Sequence, residues 1–255
     1  MSVIIIGNQR VGKTSMVVAL AKGTVEGTLE NVKIAHPDPQ SLIRDKSNLG
    51  TGDIAPTFDK EEEPLLLRIN LPSGSERDVR VQWIDTPGEA WSKPAWQESN
   101  PEKYQDLVHT LGQSQAVLLL LPPYRYRTQE IEDTPEFEEI LDPETWKKQL
   151  KERLTLLRSH CPSVQHILIS IHKADLFHNL EEEKNTWQYN TKTSFLWGKH
   201  DTHIRKTYFS LADDIIREHN SLPPYLNPKF FVTSIHHPTL LELPWVYLGA
   251  YFANA

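Results

Sequence analysis

The sequence SVIIIGNQRVGKT, residues 2–14, joins an apolar β-branched run to a glycine-containing loop. The run Ser2–Ile6 is typical of a buried strand, and Gly7–Thr14 has the spacing G-x-x-x-x-G-K-T. Glycines at these positions let the backbone curl so that successive N–H groups face a phosphate. A helix is predicted over Ser15–Lys22 and is expected to end near Gly23. This order predicts a phosphate-binding loop; the alternative is a strand-to-helix turn that matches the spacing by chance.

The loop residues have distinct expected roles. Lys13 would reach the β- and γ-phosphates, and the hydroxyl of Thr14 would bind Mg²⁺. The other contacts would come mainly from backbone N–H groups. The residues expected to bind the nucleotide's phosphates are therefore Asn8, Gln9, Arg10, Val11, Gly12, Lys13, Thr14 and Ser15.

Composition limits the class of protein. The chain has 255 residues, a length that fits one domain with insertions, so we expect a single domain over residues 1–255. Hydrophobic residues at 38% and charged residues at 24% are typical of a soluble globular protein. Its net charge of -7 argues against a broad nucleic-acid-binding surface. The longest apolar run, Ala116–Leu121, is far too short to span a membrane, and neither end carries a lipidation motif. With Cys161 as its single cysteine, we expect a cytoplasmic protein with no nucleic-acid partner and no membrane anchor.

Apolar runs predict where the remaining strands lie. After a long irregular segment, Gly23–Lys60, strands are predicted at Leu65–Asn70, Val79–Ile84, Ala116–Leu121, His166–Ile171 and Lys229–Ser234. The turn Pro72–Ser75 joins the first two of these as an antiparallel hairpin. Strands that alternate with helices predict an α/β fold with a mostly parallel sheet and one antiparallel hairpin strand.

Capping residues predict the helices between these strands. Helices are expected to follow Asn100, Asp142 and Asp201, and the first of them to end at Gly112. A closing helix is predicted over Leu240–Phe252. Insertions are expected at about 124–141 and 177–200; the first is acidic, and is either a solvated loop or a partner-docking segment.

Two further polar clusters follow apolar strands. Asp85–Gly88 comes directly after the strand ending at Ile84, and His172–Asp175 follows His166–Ile171. In an open parallel sheet, ligands bind at the carboxyl ends of the strands. A nucleotide at this edge would meet both clusters together with the phosphate-binding loop.

The order G-x-x-x-x-G-K-T, D-x-x-G, x-K-x-D resembles that of the P-loop GTPases of the Ras-like and translation-factor-like class. The chain is also similar to the double-GTPase-like domains of prokaryotic conflict systems. The resemblance implies a three-layer P-loop NTPase fold, a GTP or GDP cofactor with Mg²⁺, and a guanine-nucleotide switch that hydrolyses GTP. It also implies a protein partner that contacts the switch regions, and it leaves dimerisation open.

The resemblance assigns roles beyond the loop. Asp85 matches the acid that holds Mg²⁺, and Gly88 matches the glycine whose N–H senses the γ-phosphate. Lys173 would lie along the base, and Asp175 would accept two hydrogen bonds from guanine. Within Thr233–Ile235, residues Ser234 and Ile235 match a loop that closes over the guanine oxygen. The first-switch threonine is expected at Thr57, which we prefer to Thr51; a loop threonine with no metal role is the alternative.

Four positions depart from the family pattern. His172 replaces the usual asparagine or threonine, and Gln9 and Arg10 replace small residues, where they would either crowd or reach the γ-phosphate. Glu89 occupies the position of the glutamine that orients the attacking water in Ras-like enzymes. A carboxylate there adds negative charge near the γ-phosphate, so we expect slow hydrolysis without a partner, with Lys13, Gly88 and Glu89 as the catalytic residues.

Two other classes of function stay open from the sequence. One is a nucleotide-binding scaffold that does not hydrolyse GTP, in which Gln9 and Glu89 reflect lost catalysis. The other is a P-loop enzyme that uses ATP.

Overall fold

A computed structural model of the chain describes residues 2–8, 10–47, 64–83, 94–124, 140–161, 164–176, 180–223 and 227–252. The strands within these ranges are β1 (Ser2–Gly7), β2 (Val32–His36), β3 (Leu65–Asn70), β4 (Glu76–Trp83), β5 (Ala116–Leu121), β6 (His166–Ile171) and β7 (Lys229–Val232). The α-helices are α1 (Lys13–Glu26), α2 (Pro39–Ser47), α3 (Pro94–Ser99), α4 (Pro101–Gln113), α5 (Pro143–His160), α6 (Leu180–Thr186), α7 (Trp197–Tyr208), α8 (Asp213–Ser221) and α9 (Pro238–Phe252).

The described strands form one seven-stranded sheet in the order β2-β3-β4-β1-β5-β6-β7. β3 pairs antiparallel with both of its neighbours, and all the other pairings are parallel. A short 3₁₀ turn, Pro72–Gly74, joins β3 to β4. The prediction of an α/β fold, with a mostly parallel sheet and one antiparallel hairpin strand, is confirmed.

The centre of the sheet is buried on both faces. All six residues of β5 are buried, as are the last five of β1 and of β6. α1 packs on α2 and contacts α9, whereas α5 contacts α4 and α8. Two such groups of helices, with continuous apolar strands between them, are consistent with a three-layer α/β arrangement.

Regular structure occurs where we predicted an irregular segment, Gly23–Lys60, so that prediction is wrong for its described part. β2 lies at the edge of the sheet, where Val32 is opposite Ile69 of β3, and its register shifts between Ile34 and His36. Only two of its five residues are buried, so its alternation is too short to identify from sequence. α2 follows and packs on α1.

The predicted end of α1 near Gly23 is also wrong. α1 continues to Glu26 and ends at Gly27, which has the left-handed φ of 71° that favours glycine. Gly23 has a different role, because a Cβ there would lie 2.6 Å from Cγ of Leu29. The glycine inside the helix lets the following loop approach the helix backbone.

The predicted helix caps are confirmed in one case and wrong in another. The Asp142 carboxylate accepts hydrogen bonds from the backbone N–H groups of Glu144 and Thr145, 3.1 and 3.0 Å away, and α5 follows it. Asp201, in contrast, lies inside α7. Its carboxylate accepts a hydrogen bond from the backbone N–H of Phe230, at 2.9 Å, and so ties α7 to β7.

Several smaller boundaries differ from the predicted ones. β4 begins at Glu76 rather than at Val79, Gly112 lies within α4 rather than after it, and β7 ends at Val232 rather than at Ser234. The region at about 177–200, predicted as a polar insertion, contains α6 and the first turn of α7 in its described part. Nearly all of the other predicted insertion, at about 124–141, lies outside the described residues.

No helix in the described part of the chain is long and apolar enough to cross a membrane.

Trp146 joins the end of β5 to α5. Its side chain is fully buried, and its Nε1–H donates to the carbonyl of Pro122 at 2.9 Å. Its ring centroid lies 4.8 Å from that of Tyr124 and 5.9 Å from that of Phe209. The position of α5 beside the sheet therefore depends on this indole.

We predict that Trp146→Ala lowers the free energy of unfolding by about 3–5 kcal/mol, because it leaves a cavity and removes a buried hydrogen bond. Trp146→Phe keeps an aromatic ring and should cost less, about 1–2 kcal/mol. Urea denaturation of both variants would measure the difference. Equal stabilities for the two variants would contradict this role of the indole.

Candidate functional site

Three of the predicted polar segments follow strands on the same side of the sheet. The loop beginning at Asn8 follows β1, His172–Asp175 follows β6, and Thr233–Ile235 follows β7. β1, β5, β6 and β7 are neighbouring parallel strands, so their carboxyl ends lie at one edge. The structure therefore brings these three segments together, whereas the other predicted cluster, Asp85–Gly88, lies outside the described residues.

The loop between β1 and α1 is tightly curled. Arg10 and Gly12 both have left-handed backbone angles, with φ of 60° and 98°. The backbone N–H of Met16 donates to the carbonyl of Gly12 at 2.8 Å, which begins the hydrogen bonding of α1. Left-handed residues in a turn of this kind direct backbone N–H groups toward a common point, an arrangement that favours anion binding.

The side chain of Lys13 extends from the end of this loop back to the first residues of the loop. Its side chain is buried, and its Nζ donates to the carbonyl oxygens of Gly7 and Asn8, each 3.0 Å away. Gly7 is required at this point, because a Cβ there would lie 2.8 Å from the carbonyl oxygen of Leu120. The ammonium group is therefore held inside the curl of the loop.

His172 connects the loop to β6 and β7. Its Nδ1 lies 2.9 Å from the hydroxyl of Thr233, which is itself 2.8 Å from the hydroxyl of Ser170. The other edge of the ring faces Gly12, where a Cβ would lie 2.6 Å from Cδ2 of His172. Burial is the main reason that the pKa of His172 is lowered to about 4; Asp175 opposes this shift and Lys173 adds to it. The imidazole is therefore neutral at pH 7.

Asp175 and Ser234 meet directly. The hydroxyl of Ser234 donates to Oδ1 of Asp175 at 2.5 Å and accepts a hydrogen bond from the backbone N–H of His236 at 3.0 Å. The backbone N–H of Ala174 donates to the carbonyl of Thr233 at 3.1 Å, which joins the two segments again. Lys173, between His172 and Ala174, has a φ of 58°.

A groove of about 590 Å³ lies beside these segments, between α1 and the residues that follow β7. The residues that line it include Thr14 and Ser15 at the start of α1, and Ile235 and His236 beyond β7. Ile235 is exposed, and Ser15 is exposed at the start of its helix. The lining of the groove also follows α1 to its end and continues to Leu29, so the groove extends well away from the loop.

Five predicted site residues lie outside the described part of the chain: Gln9, Thr57, Asp85, Gly88 and Glu89. Their roles stay predictions. Among the described residues, no group of three or more His, Cys, Asp or Glu side chains is arranged to hold a metal ion. Thr14 is the one predicted Mg²⁺ ligand that is described.

Sequence reasoning missed three side chains at this edge. Thr233 bonds to His172, and Gln149 and Arg153 of α5 both bond to the side chain of Asn8. The signal for Thr233 was its position just before Ser234. Gln149 and Arg153 lie in the helix that was predicted from its cap at Asp142, and no motif marks them.

No protein-family model matches the sequence, and no curated protein matches it.

We predict that His172→Asn reduces the dependence of stability on pH. A histidine in the unfolded chain has a pKa of about 6.5, against about 4 in the folded protein, so the unfolded state binds more protons between these values. The stability that depends on neutral His172 is complete above pH 6.5 and is lost as the pH falls to 4. Each pKa unit corresponds to about 1.4 kcal/mol, so the loss is about 3 kcal/mol.

Asparagine does not titrate and can still bond to Thr233. Between pH 7 and pH 4, the free energy of unfolding of the wild-type protein should therefore fall by about 3 kcal/mol more than that of His172→Asn. Urea denaturation at several pH values would measure both. Parallel pH profiles for the two proteins would contradict the burial of a neutral imidazole.

Proposed function

We propose that this protein binds a guanine nucleotide with Mg²⁺ at the edge formed by the ends of β1, β6 and β7, and that it hydrolyses GTP slowly. One observation carries the proposal: His172 packs against Gly12 while Asp175 bonds to Ser234. Direct contacts thus join the loop that would bind the phosphates to the two segments that would bind the guanine base.

The loop has several groups that would favour the binding of a polyphosphate. The backbone N–H groups of its curled residues and the N-terminus of α1 favour an anion. Lys13 has its ammonium within the loop and would contact the β- and γ-phosphates. The hydroxyl of Thr14, together with Thr57 and Asp85, would hold Mg²⁺, whose charge would offset that of the phosphates.

Asp175 is the residue that would select guanine. Its Oδ1 accepts the hydroxyl of Ser234, but a carboxylate has about four acceptor positions, so it can still accept from guanine N1–H and the 2-amino group. Adenine lacks both of these donors. Lys173 would lie along the base, and the backbone near Ile235 would contact the guanine oxygen.

Hydrolysis requires water to attack the γ-phosphorus in line with the bond to the β–γ bridging oxygen, which breaks. Gly88 would contact the γ-phosphate through its N–H, and Glu89 would orient the water. The carboxylate of Glu89 would add negative charge next to the γ-phosphate, which is already negative. We therefore expect hydrolysis to be slow when no partner is bound. The loops around Thr57 and Gly88 would then respond to hydrolysis and present a surface to a protein partner.

Binding and turnover measurements separate this function from its rivals. The affinities of GTP, GDP and ATP would be measured with Mg²⁺ by calorimetry, and hydrolysis would be followed in a single turnover. GTP binding with no hydrolysis would indicate a non-hydrolysing scaffold. Preference for ATP would indicate an ATP-using enzyme, and would contradict the role of Asp175.

We predict that Lys13→Ala lowers the affinity for GTP by about 100-fold or more, because a charged donor to the phosphates is lost inside the loop. Lys33→Ala is the matched control, since Lys33 is an exposed lysine on β2, and it should bind GTP as the wild-type protein does. Calorimetry on both variants gives the comparison. Normal GTP affinity in Lys13→Ala would overturn the phosphate-binding assignment.

We also predict that Asp175→Asn reduces the preference for GTP over ATP by about 10- to 100-fold, because the amide cannot accept both hydrogen bonds from guanine as a carboxylate does. Asp214→Asn removes an exposed carboxylate on α8 and should leave the preference unchanged. Competition of GTP and ATP for the same site measures the ratio. If Asp175→Asn discriminates as well as the wild-type protein, Asp175 does not bind the base.

A further inference from the structure

Two residues of α5 reach the first turn of the loop between β1 and α1. Arg153 donates from a terminal guanidinium nitrogen to Oδ1 of Asn8 at 2.7 Å, and Nδ2 of Asn8 donates to Oε1 of Gln149 at 2.5 Å. Gln149 and Arg153 are four residues apart and therefore lie on the same face of the helix. Both ends of the Asn8 amide are bonded, so its orientation is fixed by α5.

Arg153 is almost completely buried, which is unusual for a charged side chain. Only 2% of it is exposed to solvent. Burial lowers its pKa to about 10, with Glu152 opposing the shift, so the guanidinium remains charged at pH 7. A buried positive charge raises the local potential much more than a solvated one does, since less water screens it.

We propose that Arg153 is a positioning residue for the phosphates: through Asn8, and with Gln149, it holds the first turn of the loop in the shape that binds a polyphosphate. The inference rests on the proposed nucleotide binding and adds a residue that no motif contains. Asn8 directly follows Gly7. The backbone carbonyl oxygens of both residues accept hydrogen bonds from Nζ of Lys13. The helix thus fixes Asn8, one of the two residues that bond to the lysine.

A purely structural role makes a different prediction. If Arg153 only attached α5 to the sheet, its removal would weaken the fold and lower the affinity of every nucleotide by the same factor. If Arg153 instead shapes the loop, its removal weakens the binding of the phosphates and leaves the binding of the base unchanged. The effect should therefore increase with the number of phosphates on the nucleotide.

The same helix offers a matched control. Arg158 is also partly buried, and its guanidinium donates to the backbone carbonyl of His219 in α8. It ties α5 to its neighbour, and among the described residues of the loop none bonds to it. Arg158→Gln removes one positive charge from the same helix, as Arg153→Gln does, but the hydrogen bond that it removes joins two helices rather than the helix and the loop.

The test is the affinity of GMP, GDP and GTP, each with Mg²⁺, for the wild-type protein, Arg153→Gln, Arg153→Lys, Gln149→Ala and Arg158→Gln. For Arg153→Gln we expect a loss of about 10- to 100-fold in GTP affinity, the range for losing a hydrogen bond from a charged donor, a smaller loss for GDP and little for GMP. Arg153→Lys should recover part of the loss, and Arg158→Gln should show none of this graded pattern.

Gln149→Ala keeps the test informative if Arg153→Gln fails to fold, because Gln149 is only partly buried. It should shift the ratio of GTP to GMP affinity in the same direction, by a smaller factor. Equal losses for all three nucleotides, or an unchanged ratio in Gln149→Ala, would overturn the inference while leaving guanine-nucleotide binding in place. A wild-type protein that binds none of the three would overturn the proposed function itself, and this inference with it.

Discussion

The ring of His172 lies against Gly12, in the space that a side chain on Gly12 would need. Three parts of the chain that are distant in sequence depend on this contact: the loop after β1, the end of β6 and, through Thr233, the end of β7. A larger residue at position 12 would have to displace a buried ring, as well as adopt a backbone angle that favours glycine. The glycine and the histidine therefore constrain each other.

Continuous apolar runs were enough to predict the centre of the sheet, because strands buried on both faces carry their signal in every residue. β3 and β5 have the predicted bounds for this reason. The missed elements are those that depend on distant partners. β2 buries only two residues and is a strand because it pairs with β3; Asp201 looks like a cap but bonds across to Phe230. Gly23 looks like a helix end but makes room for Leu29.

The candidate site also contains residues that could be predicted from the sequence and residues that could not. Its motif residues follow strands, so their arrival at one edge could be predicted from the order of strands alone. The side chains that hold these residues in place could not be predicted. Gln149 and Arg153 belong to no motif, and Thr233, although it precedes Ser234, acts through a contact made only in the folded protein. The sequence shows that a histidine replaces the usual asparagine or threonine at position 172. The neutral state of the His172 ring depends on its burial in the folded protein.

The two edges of the described sheet are both short. β2 has five residues and an interrupted register, and β7 has four. An edge strand exposes unpaired backbone groups that can recruit a strand from another molecule, and short or irregular edges suppress that recruitment. The described sheet therefore offers little template for the addition of a strand from another molecule.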